Sequence, residues 1–184
     1  MTETATRNRT RRAILEAAVA VFARDPAASL GEVAAAAAVG RTTVHRHFPE
    51  RSDLLSALAL HVLDQVAAAT ERAAPEHGPA PEALGRIVRE YLGLGDVLVL
   101  LFNEPTGVEP PPGECWEHDR QLTALIARGQ AEGSIDDAFT QGWLHSMLWA
   151  LLYSAWALMR DGSMPRHEVL DQCVRSLHKA VAAP

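Results

Sequence analysis

Between Trp143 and Met159 the chain runs apolar for 17 residues, interrupted only by His145, Ser146 and Ser154. On a helix from Thr140 to Arg160, Leu144, Leu148, Leu151, Ala155 and Leu158 form one stripe. His145, Trp149, Leu152 and Trp156 form its neighbour, and Trp143, Met147 and Ala150 a third. A helix apolar nearly all round has to be covered on several sides. The run falls short of the roughly 20 residues a membrane span needs, so the cover is protein. At 184 residues a subunit cannot wrap such a helix by itself. The segment therefore predicts a helical bundle in which the last two helices pair with those of a second copy, making a homodimer.

The rest of the chain reads as helices separated by breakers. Ile14, Leu15, Ala18, Val19 and Phe22 predict a first helix over Thr10 to Ala23, stopped by Asp25-Pro26. Ser29-Leu30-Gly31-Glu32 is a capping box, opening an alanine-rich helix from Leu30 to Ala37. Arg41 to Phe48 predicts a short third helix ended by Pro49, and a longer fourth starts at 50–53 with Leu54, Leu55, Leu58, Val62, Leu63 and Val66 on its buried side. Ala73 to Pro81 is a loop. Glu82 to Asn103 is helical but broken near Gly93-Leu94-Gly95, and Pro105 to Gly113 is a second loop. Helices follow over Cys115 to Ala131, Thr140 to Arg160 and Pro165 to Ala182. No segment alternates as a strand would, so the chain is expected to be all α.

Charge divides the chain more sharply than its net -6 suggests. Residues 1–51 carry eight arginines against five acids, +3; the remainder is -9. A basic end on an acidic body suits a module that binds a polyanion, joined to a domain of another kind. Two cysteines, Cys115 and Cys173, make no disulfide framework and point to a reducing, cytoplasmic compartment. The polar start, Met1 to Thr10, has no signal-peptide core.

Three short helices in the first 50 residues, the second capped and the third after a tight turn, outline a helix-turn-helix. That motif props one helix on the DNA backbone so that the next enters the major groove N-terminus first. The third helix carries suitable groups. Arg41 reaches a guanine edge or a phosphate, and Thr42 and Thr43 are small polar groups at the leading end. His45, Arg46 and His47 offer donors to phosphate, while Val44 and Phe48 anchor the helix in its own module.

Residues 10–55 resemble the DNA-binding domain of the TetR family of transcriptional regulators. Val39-Gly40-Arg41-Thr42-Thr43-Val44-His45-Arg46-His47-Phe48-Pro49 is similar to that family's recognition-helix signature, and Leu54-Leu55 resembles the start of its fourth helix. Arg51 stands where the family commonly has a phosphate-binding lysine. There are departures: Ala38 replaces the usual turn glycine, Gly40 the usual hydroxyl cap, and His45 the usual tyrosine.

The resemblance implies an N-terminal helix-turn-helix module, residues 1–50, joined by a long fourth helix to a helical effector-binding and dimerisation domain, residues 51–184. It implies a ligand-responsive repressor that binds a palindromic operator in double-stranded DNA as a homodimer and is released by a small-molecule effector, with no cofactor and no membrane partner. Arg41, Thr42 and Thr43 are the expected base contacts, and His45, His47 and Arg51 the expected phosphate contacts. Arg7, Arg9, Arg11 and Arg12 are expected to add contacts from a mobile arm. Phe102, Trp116, Trp143, Met147, Trp149, Tyr153 and Trp156 are aromatic or soft apolar candidates for an effector pocket, although such residues more often serve as packing. Cys115 and His118, at i and i+3, have no second pair with which to hold a metal. No Gly-x-Ser-x-Gly elbow, phosphate loop or His-Glu-x-x-His motif suggests an enzyme. The alternative is a helical sensor, scaffold or enzyme that keeps the fold without reading DNA.

Overall fold

The computed structural model describes residues 2–103 and 117–183. All regular structure among them is α-helical: α1 (Thr2–Arg24), α2 (Leu30–Ala36), α3 (Arg41–His47), α4 (Arg51–Ala73), α5 (Ala80–Leu92), α6 (Asp96–Asn103), α7 (Glu117–Ala131), α8 (Gln141–Arg160) and α9 (Arg166–Val181). No helix among the described residues is long and apolar enough to cross a membrane. The chain forms two compact units. Residues up to Gln65, with α6, make the first; residues 66–95, with α7 to α9, make the second. The continuous helix α4 passes from one to the other. The break expected at Gly93-Leu94-Gly95 separates α5 from α6, with Gly95 at φ +59°.

In the first unit α1 packs on α2 and α6, and α2 on α3. Ile14, Ala18 and Phe22 of α1 meet a core shared with Val33, Val44, Phe48, Leu54 and Val62, all nearly or fully buried. The α2 cap forms as the sequence requires. Ser29 Oγ accepts from the Glu32 amide at 3.3 Å, and Glu32 Oε2 accepts from the Ser29 amide at 2.8 Å. The arm that carries Arg7, Arg9, Arg11 and Arg12 is helical. α1 begins at Thr2, eight residues ahead of the expected start at Thr10, because nothing before Asp25-Pro26 breaks the helix and its polar first turns need no core.

In the second unit α5 packs against α7, α8 and α9, and α8 against α7 and α9. Leu84, Ile87 and Val88 of α5 face Leu122 and Ile126 of α7, Leu148 and Leu152 of α8, and Val169 and Leu177 of α9 across one apolar core. The Arg86 guanidinium donates to the carbonyls of Ala73, Ala74 and His77 at 2.7, 2.9 and 2.5 Å, closing the C-terminal end of α4. Gly129 lies where α7 meets the start of α5. A Cβ there would sit 2.5 Å from Ile135 Cδ1 and 2.7 Å from the Ala80 Cβ. Gly129→Ala is therefore expected to cost about 1–3 kcal/mol by overpacking, read as a lower midpoint of urea unfolding. Gly142→Ala, with open space around it, is the control and should cost nothing.

The apolar helix α8 is covered on one side only. Leu144, Leu148, Leu152, Ala155 and Trp156 are buried, while Trp143, Tyr153 and Leu158 are 61%, 48% and 37% exposed. Ala150 and Ser154 are exposed along the same face, with Met147 half-buried beside them.

Candidate nucleic-acid interface and ligand site

The turn between α2 and α3 is made with Ala38 at φ +53°, a left-handed conformation that costs an alanine about 1 kcal/mol. Two backbone hydrogen bonds hold it there: Ala38 N–H to Ala35 O at 3.1 Å and Val39 N–H to Ala34 O at 3.0 Å. Gly40 caps α3 without a side-chain hydrogen bond. Val44 and Phe48 are buried, so the helix is fixed by its apolar side. Arg41, Thr42, His45 and Arg46 are exposed, and Thr43 and His47 half-buried. Arg41 lies back over Gly31 of α2, so close that a Cβ there would stand 3.0 Å from its Nε. His45 Nδ1 is 3.4 Å from the Pro49 carbonyl.

The neighbouring arginines have structural tasks. Arg51 donates to the carbonyls of Ala28 and, at 2.7 Å, Pro26, and stacks 4.9 Å from the Phe22 ring centre. Its guanidinium thus braces the loop between α1 and α2, a different engagement from the phosphate contact its position suggests. Arg11 stacks over Phe48 at 5.2 Å, and Arg12 pairs with Glu16 at 2.8 Å.

Desolvation, with the nearby charges of Arg46, Arg7 and Arg11, holds the His47 pKa below 6.5. That environment favours the neutral ring in the free protein, and a phosphate beside it would raise its pKa. Binding would then take up a proton, so affinity for DNA should rise as pH falls from about 7.5 to about 6. His47→Gln should flatten that slope in an anisotropy titration. An unchanged slope in the variant would remove His47 from the phosphate contacts.

The second unit contains a polar cluster set among aromatic rings. Thr70 donates to the Val66 carbonyl at 2.9 Å, so the Tyr91 hydroxyl, 2.7 Å away, donates to Thr70. Burial pushes the Tyr91 pKa up to about 12. The Tyr91 ring stacks on Trp149 at 5.4 Å. Trp149 Nε1 lies 3.3 Å from His145 Nε2, and the same nitrogen is 3.0 Å from Asp119 Oδ1. His118, 5% exposed, places Nε2 3.6 Å from that oxygen. Burial alone would raise the Asp119 pKa, but the hydrogen bond from His145 and the charges of both imidazoles outweigh it and hold it below the usual value. Desolvation lowers the pKa of His118. His145 Nε2 thus faces an acceptor and a donor at once and satisfies one at a time. Gln121 Oε1, also on α7, is buried without a partner among the described residues.

Of the aromatic candidates among the described residues, Trp149 joins this cluster. Trp143 and Tyr153 lie on the exposed face of α8, with Met147 half-buried beside it. Trp156 is buried beneath the Arg160 guanidinium, and Phe102 belongs to α6 in the first unit. Trp116 and Cys115 lie outside the described residues. No group of three His, Cys, Asp or Glu side chains among the described residues is arranged to hold a metal ion. Thr70, Tyr91 and Asp119 carry no site signal in the sequence, and His118 enters the sequence reading only beside Cys115 as a metal pair. The available signal was His145, a lone ionisable group within the apolar run.

Comparison with known proteins supplies the context for both sites. Residues 14–58 match the model of the bacterial regulatory proteins, tetR family. The chain is 41% identical over 181 residues to the HTH-type transcriptional repressor LfrR of Mycolicibacterium smegmatis, covering 97% of this chain and 94% of LfrR. It is 36% identical over 129 residues to the HTH-type transcriptional regulator NfxB of Pseudomonas aeruginosa, covering 66% of this chain and 67% of NfxB. The crystal structure of LfrR in complex with proflavine superimposes with a TM-score of 0.77 at 40% identity, over 97% of this chain and 99% of that one.

Proposed function

The chain belongs to the tetR family of bacterial regulatory proteins, and we propose that it acts as a cytoplasmic, homodimeric repressor, not an enzyme, released from a palindromic operator by a cationic aromatic effector. The observation that carries the DNA half of this reading is α3, anchored by buried Val44 and Phe48 and presenting Arg41, Thr42 and His45 to solvent. Arg41, Thr42 and Thr43 are assigned to base edges in the major groove, and His45 and His47 to phosphates. Arg51 braces the loop on which α2 starts and is not assigned to phosphate.

The effector half rests on Asp119. A half-buried carboxylate next to stacked Tyr91 and Trp149 suits a flat cation, through charge and through the ring faces. Proflavine, the ligand in the LfrR complex, is a molecule of that kind. A cation seated on Asp119 would free His145 Nε2 to accept from Trp149, removing the competition at that nitrogen. Binding there would favour a conformation with weaker operator affinity, by about 1–3 kcal/mol if the coupling is of ordinary size. The exposed stripe of α8, Trp143, Ala150, Tyr153 and Leu158, is assigned to the dimer.

Arg41→Ala tests the base contact. It should cost about 1–3 kcal/mol of operator affinity and relax the preference at one base pair per half-site, measured with a panel of single-substitution duplexes. A uniform loss across the panel would transfer Arg41 to the phosphate class.

A further inference from the structure

Lys179 is the only lysine in a chain with 16 arginines, and it borders a groove of about 520 Å³ between α5 and α9. Arg89, Arg175, His167 and His178 share that groove with one acid, Asp171. Arg175 and Asp171 pair with each other at 2.8 Å. Arg89 and Lys179 have no acidic partner among the described residues. Their side chains also make no hydrogen bond or ring contact among the described residues, which sets them apart within the second unit. Arg72, Arg120 and Arg128 pair with Glu90, Glu117 and Glu132. Arg86 and Arg166 cap carbonyls, and Arg160 covers Trp156. Two uncompensated cations on one groove repel each other and attract an anion.

The groove is shaped as well as charged. Leu170 and Val174 give it an apolar wall. Gly85 lets the helices approach: a Cβ there would meet His178 Nε2 at 3.1 Å and Val174 Cγ1 at 3.5 Å. His178 Nε2 donates to the Pro81 carbonyl at 2.9 Å, which fixes the ring at the groove edge. Cys173, on the other flank of α9, faces the Leu151 carbonyl of α8.

We propose that this groove is a second small-molecule site, which takes an amphiphilic organic anion. The carboxylate, sulfonate or phosphoryl head is held by Arg89 and Lys179, and the apolar body lies on Leu170 and Val174. Its charge preference is opposite to that of the Asp119 cluster, and the volume is within the range of small-ligand pockets.

Naphthalene-2-sulfonate is a suitable probe, titrated into the full chain by calorimetry. One saturable site per chain is expected, with inorganic sulfate at least tenfold weaker. A single lysine permits a second readout. The bound probe should protect Lys179 from acylation by an N-hydroxysuccinimide ester, scored by peptide mass spectrometry. Arg89→Ala and Lys179→Gln, both at exposed positions, should each weaken the probe at least tenfold, while Asp119→Asn and excess proflavine should leave it unchanged. Any of four results would overturn the proposal: no saturable site, unaltered affinity in both groove variants, sulfate binding as well as the arene sulfonate, or displacement by proflavine.

Discussion

Replacing Asp119 with asparagine should weaken proflavine binding by about ten- to a hundredfold, or roughly 1.4–2.8 kcal/mol, and leave operator affinity without ligand unchanged. The variant keeps the shape of the side chain and removes its charge. Asp119 is 27% exposed, less than its place in the first turn of a helix would suggest, and His118 and His145 both face one of its oxygens. In so shielded a position a cation gains more from the carboxylate than it would in water. The uncharged analogue acridine, which shares the ring system, should lose little affinity in the variant. Equal losses for both molecules would mean that Asp119 shapes the pocket and does not supply a counter-charge.

The second large effect is expected at the exposed face of α8. Tyr153→Glu combined with Leu158→Glu places two carboxylates per chain on the apolar stripe that also carries Trp143 and Ala150. In a symmetric pair of helices each carboxylate would be buried against its copy or close to it. The variant should sediment as a folded monomer, with the helical signal of the parent. Its operator affinity should drop at least a hundredfold, about 2.8 kcal/mol, because a lone recognition helix loses the effective concentration that linkage to the second supplies. A variant that remained a dimer would move the interface elsewhere on the surface.

Much of the fold could be read from local chemistry. Ser29 and Glu32 announce α2, Pro49 ends α3, and Gly93 and Gly95 divide α5 from α6, because capping and backbone breaks are decided by a few adjacent residues. α1 starts before its apolar periodicity does, because its first turns are polar and periodicity cannot mark a helix with no face to bury. The apolar stripes of α8 were legible, but which of them faces its own subunit was not. That depends on α5, α7 and α9, which claim Leu144, Leu148 and Leu152 and leave Trp143 and Tyr153 outside.

The two sites differ in the same way. The recognition helix is seven residues of contiguous sequence, so its exposed and buried sides follow from one helical wheel. The task of Arg51 could not be seen, since its partners Pro26 and Ala28 come from a loop more than twenty residues away. The Asp119 cluster gathers Thr70, Tyr91, His118, His145 and Trp149 from α4, α5, α7 and α8. Asp119 lies in the first turn of α7, where the helix dipole favours any acid, so its residue type carries no separate signal. Only His145, a polar interruption in the apolar run, indicated that something polar had to be met there.

The central claim, a dimer that reads DNA and is released by a flat cation, is tested most directly by selecting from a random-duplex pool with the purified protein, with and without proflavine. The account predicts enrichment of an inverted repeat whose half-sites are about one helical turn or more apart, with the enrichment collapsing when proflavine is present. A folded dimer that enriches no sequence at low or at moderate salt would contradict it.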